Sequence, residues 1–130
     1  THHRGLSILR ELNNLPITSL DLSDSSFETI ENLTQAPLKK LNLSRSKVAE
    51  LKPLMTNHTL EELDISDSRV YNLTPLRDTK IHTLTIGKRP VNLYSIKSLK
   101  ILEKLRLPRG VYTATQLKTH HLSHLVEFTD

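Results

Sequence analysis

Apolar residues recur along the chain in two alternating spacings, which are clearest in residues 38–54, LKKLNLSRSKVAELKPL. In the first half of this segment the spacing is L-x-x-L-x-L, formed by Leu38, Leu41 and Leu43. Because side chains alternate across a strand, the last two of these leucines share one face of a short β-strand. In the second half the apolar residues recur at the step of a tight helical turn, and they are Val48, Leu51 and Leu54. The segment therefore predicts a strand, a polar corner and a helical turn.

The same unit repeats through most of the 130 residues. The strand spacing begins at residues 17, 38, 60, 81 and 102, and a further strand is predicted to start at residue 122. The steps are about 20 to 22 residues, within the roughly 20–29 residues of leucine-rich repeats. Such repeats stack so that each coil buries its apolar side chains against the next coil.

Three segments carry a closer resemblance to a known family, namely LDLSDSSFETI, LNLSRSKVAELKPL and LDISDSRVYNLTPL. They resemble short bacterial leucine-rich repeats of the form LxxLxLSxTxVxxLxPL, which occur in internalin-like surface proteins and beside Ser/Thr protein kinase domains. The resemblance implies an α/β fold, a right-handed solenoid. A parallel β-sheet is expected on its concave face, with loops, 3-10 turns or short helices on its convex face. The fold does not specify the function, because this architecture hosts many unrelated partners.

Residues 1–130 are predicted to form a single leucine-rich-repeat domain. Residues 1–16 resemble the second half of a repeat whose strand is missing. Two interpretations follow, and both can hold: the chain is a fragment of a longer one, or residues 6–13 form a native capping helix. Residues 122–130 are interpreted as a last strand or turn that closes the core, with apolar side chains at Leu122, Leu125 and Phe128.

The corners after the first three strands carry serines where many leucine-rich repeats have asparagine. These serines are Ser25, Ser46 and Ser68, and their hydroxyl groups are expected to bond nearby backbone groups. On the convex side, Pro53 and Pro75 favour the first turn of a helical segment, because proline presets the backbone φ angle there.

The fourth and fifth repeats depart from these corners. Residues 87–90 are Gly-Lys-Arg-Pro and residues 108–110 are Pro-Arg-Gly. We therefore expect the regular solenoid to loosen after residue 86. Residues 95–102 are predicted to form one or two helical turns.

Polar strand residues alternate with the leucines and are predicted to line the concave face. The candidate protein-binding residues are Asp21, Lys40, Asn42, Arg45, Glu62, Asp64, Asp67, Thr85, Lys88, Lys104 and Arg106. The first three strands are net acidic and the far end is basic, which would orient a partner of complementary charge. The alternative is that these charges only balance one another across neighbouring strands. The face also lacks the aromatic side chains that are common at the centres of interfaces.

No sequence motif indicates chemistry. The chain has no nucleophile elbow, phosphate-binding loop, dinucleotide fingerprint or kinase signature, so we predict no catalytic, cofactor-binding or metal-binding residues. His120, His121 and His124 form H-H-x-x-H without a suitably spaced carboxylate, and we interpret them as surface histidines. The formal net charge of +4 arises from mixed charges, and nucleic-acid-binding signatures are missing, so a nucleic-acid partner is not expected.

The absence of cysteine excludes disulfide-bonded caps. It is compatible with the cytoplasm and with a bacterial exterior, so localisation stays open. No segment approaches the ~20 consecutive apolar residues that span a bilayer, and no membrane insertion by this segment is expected.

Two functions are consistent with the sequence. The first is a non-catalytic protein–protein interaction module that binds a partner through the concave sheet and regulates or targets an attached domain such as a kinase. The second is a structural spacer, or an oligomerisation module that forms dimers edge to edge through exposed solenoid ends. An enzyme is not expected, because no acid, base and nucleophile converge in the pattern.

Overall fold

The computed structural model describes residues 16–31 and 36–130, and six strands within them form one parallel sheet. The strands are β1 (Ser19–Asp21), β2 (Lys40–Asn42), β3 (Glu62–Asp64), β4 (Thr83–Thr85), β5 (Lys104–Leu107) and β6 (Val126–Phe128). They lie in chain order, and each pairs in parallel with the next. Each coil therefore adds its strand beside the strand of the preceding coil, which confirms the predicted solenoid. A half repeat or cap is predicted over residues 1–16. Of these, residues 1–15 lie outside the described residues.

The sheet register places the central apolar residues of successive strands side by side. Leu20, Leu41, Leu63, Leu84, Leu105 and Val126 form this row. Leu41 and Leu63 are each only 2% exposed, and the convex segments supply the facing side chains, including Leu51 and Leu73. Full burial of one leucine stabilises the folded state by about 1.5–3 kcal/mol, so these repeated positions are the main stabilising feature of the fold.

The convex side carries short helical segments. Two 3-10 helices, Lys52–Leu54 and Thr74–Leu76, have proline in their first turn, as the sequence predicts. Later coils carry α1 (Leu93–Lys97) and α2 (Ala114–Thr119). The predicted helical turns over residues 95–102 are confirmed only in part. The helix starts earlier because the Asn92 side chain accepts hydrogen bonds from the first N–H groups of α1, a favourable helix start.

The expectation that the solenoid loosens after residue 86 is wrong. β4 and β5 keep the alignment of the earlier strands, with Leu84 opposite Leu105. The backbone bonding between coils also continues, since the N–H of Ile86 donates to the carbonyl of Arg106 at 2.8 Å. Different corner residues therefore do not change the strand pairing, because the buried leucines maintain it.

The last strand does not start at residue 122 as predicted. A 3-10 helix, Ser123–Leu125, precedes β6, and Val126 rather than Leu125 aligns with Leu105. Leu122 precedes this helix and is buried in the core at 3% exposure. The pattern of three-residue steps in this segment is thus a helical spacing and not a strand spacing.

Candidate functional site

Each of the first three strands ends in a side chain that caps the following corner. Asp21, Asn42 and Asp64 accept a hydrogen bond from the backbone N–H two residues later, at 2.8, 2.9 and 2.8 Å. This arrangement is an Asx turn, which Asp and Asn favour because their short side chains reach the nearby backbone. The three predicted binding residues therefore also have a structural role in ending the strands.

The corner then continues through a residue with a left-handed backbone. Asp24, Arg45 and Asp67 have φ angles of 56°, 54° and 55°. The backbone also links neighbouring coils at this point, because the N–H of Asp24 donates to the Ser44 carbonyl and that of Arg45 to the Ser66 carbonyl. Identical corner geometry thus presents these three charged residues at equivalent positions of successive coils.

The serines complete two of these corners. The hydroxyl groups of Ser46 and Ser68 donate to the carbonyls of Leu43 and Ile65 at 2.7 and 2.8 Å, and both serines are buried. The prediction for these two serines is confirmed. It is wrong for Ser25, whose buried Oγ has no hydrogen-bond partner among the described residues.

Opposite charges pair across the strands at the acidic end of the concave face. Lys40 Nζ lies 3.2 Å from a Glu62 carboxylate oxygen. The Arg45 guanidinium bonds the Asp24 carboxylate with two nitrogens, and its Nη2 donates at 2.9 Å. This contact lowers the pKa of Asp24 below its usual value and raises that of Arg45. Hydrogen bonds from Ser23 lower the pKa of Asp21. All these groups are well exposed, so the pairs define the charge pattern more than the stability.

The basic end of the face contains a carboxylate that the sequence analysis missed. In the observed register Glu127 lies opposite Arg106. Its oxygens lie 3.2 Å from Arg106 Nε and 3.5 Å from Lys104 Nζ. The Arg106 contact is an ion pair without hydrogen-bond geometry, since its buried Nε has no hydrogen-bond partner in the part of the chain that the structure describes. Counting one repeat forward from Leu105 would have placed Val126 in the core row and Glu127 on the concave face.

A shallow groove of about 290 Å³ runs across the concave face from β1 to β5. Seven of the predicted residues line it: Asp21, Lys40, Asn42, Glu62, Asp64, Thr85 and Arg106. Ser19 and Thr83 are additional polar residues of the groove. The other four predicted residues do not line it: Arg45, Asp67 and Lys88 lie in the corners, and Lys104 lies on β5. We call the lined depression the concave groove.

The structure is similar to solved structures of two bacterial proteins. An internalin C2 from Listeria monocytogenes superposes with a TM-score of 0.64 at 24% sequence identity over 94% of this chain. An internalin InlF from the same species superposes with a TM-score of 0.59 at 20% identity over 93%. The fold is a leucine-rich-repeat solenoid. This solenoid spans 58% and 39% of the lengths of those two chains. No protein-family model and no curated protein sequence matches it.

Titratable side chains of the solenoid do not gather into a metal site within the described residues. His120 instead packs edge-on against Tyr94, with ring centroids 4.7 Å apart, and His124 is exposed in the 3-10 helix before β6. Within residues 16–31 and 36–130, no helix has the length and apolar character needed to cross a bilayer.

Proposed function

We propose that this solenoid is a non-catalytic module that binds a protein through the concave groove. The observation that supports the proposal is the convergence of seven polar side chains from five strands on one groove. The side chains come from rigid strands rather than loops, so little ordering is needed when a partner docks. The likeness to the internalins concerns the fold and supplies no partner.

The charge pattern favours a partner with its own alternating charges. Lys40 pairs with Glu62 within the groove, and Arg106, at the β5 end of the groove, pairs with Glu127 of β6. Because the pairs are exposed, a partner can exchange them for its own charges at small cost. Complementary charges would mainly accelerate docking and set its orientation.

A paired affinity capture tests this proposal. The Lys40→Glu/Asp64→Asn variant reverses one groove charge and neutralises another, while the Asn side chain keeps an oxygen for the Asx turn. The matched control is Lys52→Glu/Asp78→Asn, at exposed positions outside the groove. We expect proteins bound by the wild type and by the control to be lost from the groove variant, at equal melting temperatures. Identical capture by all three would contradict a role for the groove.

The finer hypothesis is that the module regulates or targets an attached domain such as a kinase. It is supported only by the resemblance of the repeats. A chain that carries both domains would show altered kinase activity after the Lys40→Glu/Asp64→Asn change. Unaltered kinase activity would contradict the regulatory hypothesis and leave the proposal of protein binding in place.

A second candidate function, end-to-end association, is supported by an apolar depression beside β6. It measures about 430 Å³ and is lined in part by Tyr112, Leu117, Val126 and Phe128. Phe128 is 45% exposed there, with the Arg109 guanidinium 4.9 Å above its ring. Light scattering over a concentration series, with Phe128→Ser as the variant, tests whether copies associate through this surface. A particle mass that is independent of concentration would contradict it.

A further inference from the structure

All three tyrosines of the chain line one groove that lies outside the sheet. Tyr71, Tyr94 and Tyr112 share this groove of about 350 Å³ with His120, Asn92 and Gln116. None of the lining residues belongs to a strand, so this tyrosine groove is separate from the concave groove. Tyr71 is 59% and Tyr94 is 75% exposed, so both rings are accessible to a ligand.

Three successive coils build the tyrosine groove. Tyr71 follows β3, Tyr94 lies in α1 after β4, and Tyr112 precedes α2 after β5. The hydroxyl group of Tyr112 accepts a hydrogen bond from the Val91 N–H at 2.8 Å and donates to the carbonyl of the same residue. Burial raises the pKa of Tyr112 to about 12. This tyrosine is therefore held in place, and its ring is a preformed wall for a ligand.

The far wall of the groove is also ordered by contacts between coils. The rings of Tyr94 and His120 meet edge to face, which is a favourable aromatic geometry. The N–H of Asn92 donates to the Tyr71 carbonyl at 2.9 Å and so connects the first two coils of the groove. Pre-ordered aromatic side chains are the residues that contribute most to binding at interfaces.

Basic residues outnumber acidic ones in the part of the chain that supplies most of the tyrosine groove. Residues 79–126 contain nine Lys and Arg residues, and Glu103 is their single acidic residue. Two of the cations lie next to the groove: Arg89 precedes Pro90 of its lining, and Lys97 lies one helical turn after Tyr94 on α1. Both are exposed. A positive rim around an aromatic floor fits an acidic ligand.

The spacing of the coils fits an extended peptide. Tyr71 and Tyr112 are two coils apart, a distance of at least about 10 Å at the usual strand spacing. One turn of a polyproline II helix has three residues and rises about 9 Å. Grooves lined by aromatic side chains bind such helices, which lose little conformational entropy because they are already extended. We propose that the tyrosine groove binds an acidic, proline-containing segment of a partner protein in the polyproline II conformation.

Fluorescence polarisation with a labelled peptide of six Pro-Glu repeats tests this proposal. We expect saturable binding, and NMR shifts in the full chain that are confined to the groove residues. Tyr94→Ala should weaken binding at least about tenfold, the usual cost of removing a central aromatic residue. Lys97→Glu should weaken it as well, and a peptide of Pro-Lys repeats should not bind.

Two control variants and a second groove variant separate this proposal from its rivals. Met55→Ala, at another exposed apolar side chain, and Lys40→Glu, in the concave groove, should leave peptide binding unchanged. Tyr71→Ala provides a second test, and the melting temperature of each variant shows that it is folded. The proposal is overturned if the Pro-Glu peptide does not bind, or binds Tyr94→Ala and Tyr71→Ala as tightly as the wild type. It is also overturned if a sulfated oligosaccharide binds here while the peptide does not.

Discussion

The coils that begin with β1, β2 and β3 and those that begin with β4 and β5 build the same sheet with different corners. In the first group each strand is followed by an Asx turn and then by a left-handed residue such as Arg45. In the second group Thr85 and Arg106 replace the capping Asp or Asn. Gly87 and Gly110 occur there, and α1 and α2 begin with side-chain caps. Strand register is nevertheless the same in both groups, so it depends on the leucine row and not on the corners.

The two groups also differ in what their corners leave accessible. The first group places charged side chains with a left-handed backbone at its corners, while the polar groove on the sheet spans both groups, from β1 to β5. The second group supplies Tyr94 and Tyr112, which meet Tyr71 of the β3 coil in a groove away from the sheet. A repeat protein can therefore vary the chemistry of its surfaces coil by coil, because the core needs only the spacing of the buried residues.

The largest expected effect comes from substitutions in the core. They test whether the buried side chains are equally well packed in both groups of coils. Leu63→Ala in β3 and Leu84→Ala in β4 remove side chains that are 2% and 0% exposed. We expect each to lower the free energy of unfolding by about 2–5 kcal/mol, since both leave a cavity in the same row. Urea unfolding measures the loss. A much smaller loss for Leu84→Ala would mean that the second group is loosely packed.

The next effect concerns the contact between a corner of each group. A Cβ at Gly87 would lie 2.7 Å from Asp67 Oδ1 and 2.9 Å from the Asp67 backbone nitrogen. The side chain can turn away but the backbone cannot, so Gly87→Ala should lower the free energy of unfolding by about 1–3 kcal/mol. Lys88→Ala is the matched control at the adjacent exposed position, and we expect it to have no effect. Equal stability of all three chains would show that the two corners do not touch.

A smaller effect separates the serines within the first group. Ser68→Ala removes the hydroxyl bonded to the Ile65 carbonyl and should lower the free energy of unfolding by about 1 kcal/mol. Ser25→Ala removes a buried hydroxyl that has no partner among the described residues, so it should be neutral or slightly stabilising. Thermal unfolding of the two variants decides the matter. A clear loss for Ser25→Ala would show that this hydroxyl does contribute a bond.

The smallest effect is a pH dependence in the first corners. The Arg45 contact holds the folded-state pKa of Asp24 below its usual value of 3.8. The charged carboxylate therefore favours the folded state above that pH, and this contribution is lost as the pH falls through the folded-state pKa. Asp24→Asn should be less stable than the wild type at about pH 6, and the difference should vanish by about pH 2. Urea midpoints at both pH values measure it.

Salt provides the control for this last prediction. The Asp24–Arg45 pair is exposed on both sides, so about 1 M salt should screen it and reduce the difference at neutral pH. A difference that persists at low pH or in high salt would mean that the Asn side chain disturbs the left-handed corner itself.

The site was predictable where side-chain direction follows from strand alternation. That rule placed Asp21, Lys40 and Asp64 on the concave face, where the structure also has them. It could not show that Asp21 and Asp64 cap their own corners, because an Asx turn depends on the backbone path after the strand. It also failed at Glu127, because the three-residue steps before β6 were interpreted as a last strand or turn that starts at residue 122, whereas a 3-10 helix precedes the strand and shifts its register.

The spacing of the leucines by itself determined the repeat length, the parallel sheet and the side of each strand that faces the core. These properties are local, because a strand has only two faces and a coil of about 21 residues closes on itself in one way. The tertiary structure alone decided how separate coils share a surface. Tyr71, Tyr94 and Tyr112 occupy different positions within their repeats, so no spacing rule connects them. Only the stacking of the coils brings them into one groove.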